Sequence, residues 1–176
     1  MARDELSLFS IEILGLVGSQ GAGAHDLLRM ARDARFLDWA GESQYYVEPK
    51  RLAGLGYLEA RREPGKTRER TVYTLTDKGR EALRAHAESP VRFTPLKNEA
   101  LVRLMIGDLV GDAATREGIG ALREDLDDLA VRLAEAEARA GQLPHRERYL
   151  RLVYDFLRRY LELHEELVDR VERELA

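Results

Sequence analysis

Residues 43–83 read SQYYVEPKRLAGLGYLEARREPGKTRERTVYTLTDKGREAL. Tyr46, Lys50, Arg51, Leu52 and Leu55 fit a short helix with apolar positions three apart. Gly56 follows the last of them, where a left-handed cap is sterically cheap. Tyr57-Leu58-Glu59-Ala60-Arg61-Arg62 is compatible with an extended strand, and Pro64-Gly65 marks a turn. Thr71-Val72-Tyr73-Thr74-Leu75 alternates and is rich in β-branched and aromatic residues, so it is expected to pair back on the first strand. Thr76 then caps a helix whose first residue, Asp77, suits the positive end of the helix dipole. Helix, glycine stop, strand, basic hairpin tip, strand and capped helix is the order of a winged helix-turn-helix.

The flanks complete that unit. Leu6 to Val17 is nearly apolar throughout and reads as a buried first helix. Residues 18–23 (GSQGAG) read as a turn. Ala24 to Phe36 reads as a second helix, with Leu27, Leu28 and Ala31 on one face, and Asp38-Trp39-Ala40-Gly41 breaks it. Ser89-Pro90 ends the helix begun at Thr76, and Pro95 restarts the chain. The boundary is therefore placed between a winged DNA-binding domain, 1–89, and a helical dimerisation domain, 90–176. The fold class is mostly α, with a two-stranded β wing followed by helices alone.

Beyond the boundary, Leu96 to Leu109 is helical. Ile119, Leu122, Leu126, Leu129, Leu133, Ala136 and Ala140 then recur at alternating spacings of three and four. Gly141 and Pro144 break the pattern, and a last helix runs from Leu150 to Leu175. Two antiparallel helices with narrow apolar stripes bury little as a lone hairpin. A second copy of the chain is the expected cover, through Leu122, Leu126, Leu129 and Leu133 on one helix and Leu150, Leu157, Leu161 and Val168 on the other. The alternative is that the stripes pack only on each other and on the winged domain.

The 176 residues suffice for one or two small domains, and 44% of them are apolar, enough for a core. The absence of cysteine excludes disulfides, thiolate catalysis and cysteine-ligated zinc. No apolar run is long enough to span a membrane and the N-terminus lacks a signal peptide's apolar stretch, so the expectation is a soluble, cytoplasmic protein without membrane partners. The net charge of −4 is unevenly placed: residues 1–90 carry 14 Lys/Arg against 14 Asp/Glu, residues 91–176 carry 14 against 18. Within 50–70, seven basic residues face three acidic ones, a local excess that suits phosphate, whose attraction is short-ranged in salt. His25, His86, His145 and His164 have no metal-ligand spacing, so no metal is expected. Gly65-Lys66-Thr67 resembles the end of a phosphate loop, but position 60 is Ala60 rather than glycine and a strand follows. Neither an enzyme nor a bound cofactor is expected.

With these residues in hand, the chain resembles the PadR family of bacterial transcriptional regulators. The resemblance rests on Ile13-Leu14-Gly15-Leu16-Val17, on Trp39, and on Ser43 and Tyr46 followed by Lys50-Arg51-Leu52. It continues through Leu55-Gly56-Tyr57-Leu58 and the closing Tyr73, Leu75, Thr76, Gly79 and Leu83. It implies a homodimeric, effector-responsive repressor on a palindromic double-stranded operator. Ser43, Gln44, Tyr45 and Tyr46 would sit at the groove end of the recognition helix, Lys50 and Arg51 would reach phosphate or guanine, and Lys66, Arg68 and Arg70 would hold the flanking backbone from the wing. An adaptor that kept the winged fold without touching DNA is the rival. The family has proline directly after the tyrosine; here Val47 stands there, and Pro49 occupies the place of a buried leucine. A helix-interior proline costs roughly 3 kcal/mol, so the recognition helix is expected to start late, near Tyr46, or to kink. A small aromatic acid is the expected class of any effector. Trp39 is either core or one wall of its pocket. Tyr149, Tyr154 and Tyr160, with Arg151, Arg158 and Arg159, could cradle such an acid or could equally be packing and a solvated face.

Overall fold

The computed structural model describes residues 6–34, 40–64, 69–93, 97–141 and 143–176; Trp39, Lys66 and Arg68 lie outside the described residues. The chain divides into two units, Met1–Arg92 and Phe93–Ala176.

The first unit contains α1 (Leu8–Val17), β1 (Ala22–Gly23), α2 (Ala24–Ala34), α3 (Glu42–Gly54), β2 (Leu58–Glu63), β3 (Arg70–Leu75) and α4 (Asp77–Glu88). α1 opens on a reciprocal cap. The Ser7 hydroxyl accepts from the Ser10 amide (3.1 Å), and the Ser10 hydroxyl accepts from the Ser7 amide (3.0 Å). Two of the helix's orphan donors are thereby satisfied. α1 buries Ile13, Leu14 and Val17 against Leu27, Leu28 and Ala31 of α2, Tyr45 and Leu52 of α3, and Leu58 and Tyr73 of the sheet. Each such large side chain contributes about 1.5–3 kcal/mol by leaving water.

The sheet is antiparallel with order β1-β3-β2. The expected wing had two strands. The third, β1, forms inside the segment read as a turn, pairing Ala22 with Tyr73 and Gly23 with Val72. β2 and β3 pair from Leu58–Leu75 to Glu63–Arg70. α3 closes as the sequence indicates: Gly56 has φ +80°, its amide donates to the Ala53 carbonyl (3.0 Å), and the Tyr57 amide donates to the Leu52 carbonyl (2.9 Å). That pair of bonds satisfies the helix's last carbonyls and turns the chain into β2. Thr76 then pins α4 to this turn, accepting from the Gly79 amide (3.1 Å) and donating to the Gly56 carbonyl (2.7 Å). Gly79 cannot be replaced cheaply, because a Cβ there would lie 2.2 Å from the Tyr57 carbonyl oxygen.

The second unit contains α5 (Glu99–Met105), α6 (Gly107–Val110), α7 (Asp112–Gly120), α8 (Leu122–Ala140) and α9 (Pro144–Glu174). Asn98 caps α5, accepting from the Leu101 amide (3.2 Å) through Oδ1, while its Nδ2 lies 2.7 Å from Nε2 of His164 on α9. The continuous heptad expected from Ile119 is divided, α7 ending at Gly120 and α8 beginning at Leu122.

The apolar stripes of α8 and α9 cover each other. Leu126, Leu133 and Ala140 on α8 are buried, as are Leu161, Val168 and Val171 on α9; Leu122, Leu129, Leu150 and Leu157 are half-buried. Arg123 fastens the seam to Asp169 (2.8 Å) and Glu172 (2.7 Å), and Arg158 pairs with Glu137. The eight residues expected to meet a second copy are therefore engaged mainly within their own chain. The apolar groups left in water are others: Tyr149, Leu152, Val153, Phe156 and Leu163 on a neighbouring face of α9, and Val102, Met105 and Leu109 on α5 and α6.

Candidate nucleic-acid interface

The burial of α3 sorts its residues by helical phase. Tyr45, Glu48, Pro49 and Leu52 face inward, spaced three, one and three apart, and Ser43, Gln44, Tyr46, Val47, Lys50 and Gly54 face solvent. Ser43, Gln44, Tyr46 and Lys50 are thus open to solvent. Tyr45 is not. It is 0% exposed, its ring meets Phe9 edge-on at 5.1 Å, and its hydroxyl points to the Glu12 carboxylate (3.4 Å). A fully covered ring cannot reach a base edge, so Tyr45 belongs to the core and not to the readout.

The late start expected of α3 is also corrected. The helix begins at Glu42, one turn earlier than Tyr46, and Pro49 is its eighth residue. Proline removes one backbone hydrogen bond there. The inner face of the same helix turn is instead tied by side chains. The Glu48 carboxylate accepts from the Ser10 hydroxyl (2.7 Å), from Nε of Arg51 (2.9 Å) and from Nη2 of Arg51 (2.7 Å). Nη2 of Arg51 also reaches the Ser10 oxygen (3.2 Å). Hydrogen bonding from the Arg51 guanidinium, aided by Ser10 and opposed by burial, holds the Glu48 carboxyl below the ordinary carboxylate range.

Sequence reasoning missed this cluster. Its signal was present: the inward phase of Tyr45 and Leu52 places Glu48 on the buried side, with Arg51 at the pairing distance of three residues. The expectation that Arg51 reaches phosphate or guanine therefore meets a guanidinium already engaged by a carboxylate. Val47, at 55% exposure, was not among the residues expected to touch DNA and stands in the middle of the solvent face.

On the wing, the described cations are each placed beside a carboxylate. Arg61 lies 3.0 Å from Glu59, Arg62 lies 3.5 Å from Glu69, and Arg70 lies 3.3 Å from Asp26 and 3.7 Å from Glu63. These pairs are exposed, so each contributes little and exchanges readily for another anion. Among the described residues, no group of histidines and carboxylates is placed to hold a metal ion, and no helix is long and apolar enough to cross a membrane.

A helix-turn-helix with a charged antiparallel wing, followed by a unit made of helices, defines a winged-helix fold. Solved structures place it more narrowly. Bacillus subtilis PadR in complex with operator DNA is 20% identical, with TM-score 0.69 over 96% of this chain and 99% of that one. The PadR-like transcriptional regulator BC1756 from Bacillus cereus is 17% identical, with TM-score 0.73 over 99% and 97%. The Vibrio cholerae virulence activator AphA is 22% identical, with TM-score 0.67 over 94% and 96%. The Bacillus subtilis protein is also solved with p-coumaric acid, matching at 18% identity and TM-score 0.60 over 94% and 99%. The chain has the PadR-like winged-helix fold along nearly its whole length. No family model matches the sequence, and no curated protein matches it either.

Proposed function

We propose that the protein is a homodimeric transcriptional regulator of the PadR type, a cytoplasmic repressor that binds a palindromic operator and releases it in response to a small aromatic acid. The observation that carries this reading is the solvent face of α3. Ser43, Gln44, Tyr46, Val47 and Lys50 stand exposed on a helix otherwise locked into the core, at the position from which a winged helix enters the major groove. The full-length likeness to a regulator solved on operator DNA supports it. The neighbours are regulators rather than enzymes.

Dimerisation is assigned to the apolar groups that the chain does not cover itself. Tyr149, Leu152, Val153 and Phe156 recur on one face of α9 at helical spacing, each about half exposed or more. A run of that kind marks an interface in a soluble chain. Two copies joined there would present two recognition helices to half-sites roughly 34–36 Å apart. The p-coumaric acid complex of the Bacillus subtilis protein supports a small aromatic acid as the effector class.

The adaptor reading draws support from the wing, whose described arginines are all beside carboxylates. A gel shift with the DNA upstream of the protein's own gene, at low and physiological salt, separates the two. A retarded band that competitor DNA does not remove supports the regulator; no shift at low salt supports the adaptor.

A further inference from the structure

Apart from Lys50, the crest of α3 is built from small side chains. Ser43, Val47, Lys50 and Gly54 follow one another at spacings of four, three and four, along the line opposite Tyr45, Glu48 and Leu52. The longer groups, Gln44, Tyr46 and Arg51, stand on the flanks of that line. Among the described residues, nothing packs against two of the crest positions in a way that explains them. Gly54 has an ordinary helical backbone, and a Cβ added there would meet nothing within 4 Å. Glycine is a poorer helix former than alanine, and among the described residues no close neighbour requires it in this last position of α3. Val47 is a β-branched apolar residue, 55% exposed, on a helix whose core is closed without it. Arg51 is turned to Glu48, which leaves Lys50 as the one long cation on the crest.

We infer that this low crest lets α3 seat close to the base edges, with the Val47 methyls against the 5-methyl group of a thymine in each half-site. The inference rests on the DNA-binding reading above and adds to it a base and the atom that is read. In the major groove thymine alone among the four bases presents a methyl, and apolar side chains are its natural contact. Lys50, one turn along, then reaches a guanine or a phosphate beside that thymine. Gly54 keeps the C-terminal end of the crest from lifting the helix out of the groove.

The test needs no known operator. The full chain selects its preferred duplex from a random-sequence pool, and each thymine of the winner is replaced in turn by deoxyuridine, which lacks only the methyl. Binding should weaken about fourfold for each critical methyl removed, the effect of one buried methyl-sized group. Val47→Ala should bind the thymine duplex more weakly and lose its sensitivity to uracil. Gly54→Gln should hold or raise the melting temperature while weakening the selected duplex roughly tenfold. A selected duplex that is indifferent to uracil at every thymine overturns the inference and leaves DNA binding intact. So does a uracil effect that persists in Val47→Ala. Failure to select any duplex overturns the DNA-binding reading and this inference with it.

Discussion

Replacing Glu48 by glutamine should loosen α3 from α1 by an amount that depends on pH. The carboxylate receives three hydrogen bonds, one from the Ser10 hydroxyl and two from Arg51. Glutamine keeps an oxygen for Ser10 but gives up the charge, and a hydrogen bond to a charged group is worth about 1.5–3 kcal/mol against about 1 for a neutral one. The Arg51 share is smaller than its geometry implies. Its side chain is 36% exposed, so solvent screens the pair and the loss there stays below about 1 kcal/mol. The sum is about 1–2 kcal/mol at pH 7, a fall of roughly 4–12 °C in the melting temperature of a unit this size. The folded carboxyl titrates lower than an unfolded one, which titrates near pH 4.3. Its contribution is therefore complete above that value and disappears as the pH falls through the folded pKa. Denaturation followed by the fluorescence of Trp39, the single tryptophan, compares the two proteins at neutral pH and below pH 4. The gap should be present at pH 7 and close in acid. An equal gap at both values would show that glutamine acts through shape, and no gap at pH 7 would show that the cluster does not hold the helix.

Phe156→Asp, at a side chain 67% exposed, should leave the helical content unchanged and halve the mass seen by light scattering to that of a 20.0 kDa chain. Leu126→Asp, at 3% exposure, should instead unfold the second unit, because it buries an unpaired charge. Tyr45→Ala should cost about 3–5 kcal/mol in denaturant. Tyr46→Ala should stay within about 1 kcal/mol of the parent and weaken specific DNA binding in a gel shift by about 1–3 kcal/mol. Changing Lys66 and Arg68 to alanine should shrink the log–log salt slope of DNA binding by about 0.9 for each phosphate that the wing no longer neutralises, and an unchanged slope would remove the wing from the interface.

The winged unit was legible because each of its boundaries carries its own chemistry. Gly56 takes the left-handed position, Thr76 supplies the cap, and residues 71–75 alternate as a half-buried strand must. β1 was not legible, since two residues show no period and are strands only through their bonds to Tyr73 and Val72. In α3, reading Pro49 as a helix breaker moved the expected start to Tyr46, whereas the helix begins at Glu42. Separately, Tyr45 was grouped with its exposed neighbours although its phase, shared with Leu52, turns it into the core. Local propensity lost to burial there, because the side-chain bonds of Glu48 and the packing of Tyr45 and Leu52 hold the helix together. The stripe on α8 and α9 was read correctly as apolar. Its partner was not legible, because the same seven-residue repeat is satisfied by a second copy or by the returning helix of the same chain. The exposed face of α9 is less regular, and its apolar residues are interleaved with arginines.

The strand order has one more consequence. With β3 in the centre, β2 lies at the margin of the sheet, and among the described residues no strand pairs with the backbone donors and acceptors along its outer side. Such a margin is where two proteins join by accident, strand to strand, and begin to aggregate. From Glu59 to Glu63 every residue of β2 is exposed, and four of the five are charged. Those side chains make an approaching strand shed their water, which keeps the margin single. The arginines of the wing therefore protect the protein from its own copies, whatever else they touch. A wing stripped of Arg61 and Arg62 would lose solubility together with charge, and its failure to bind would say little about DNA.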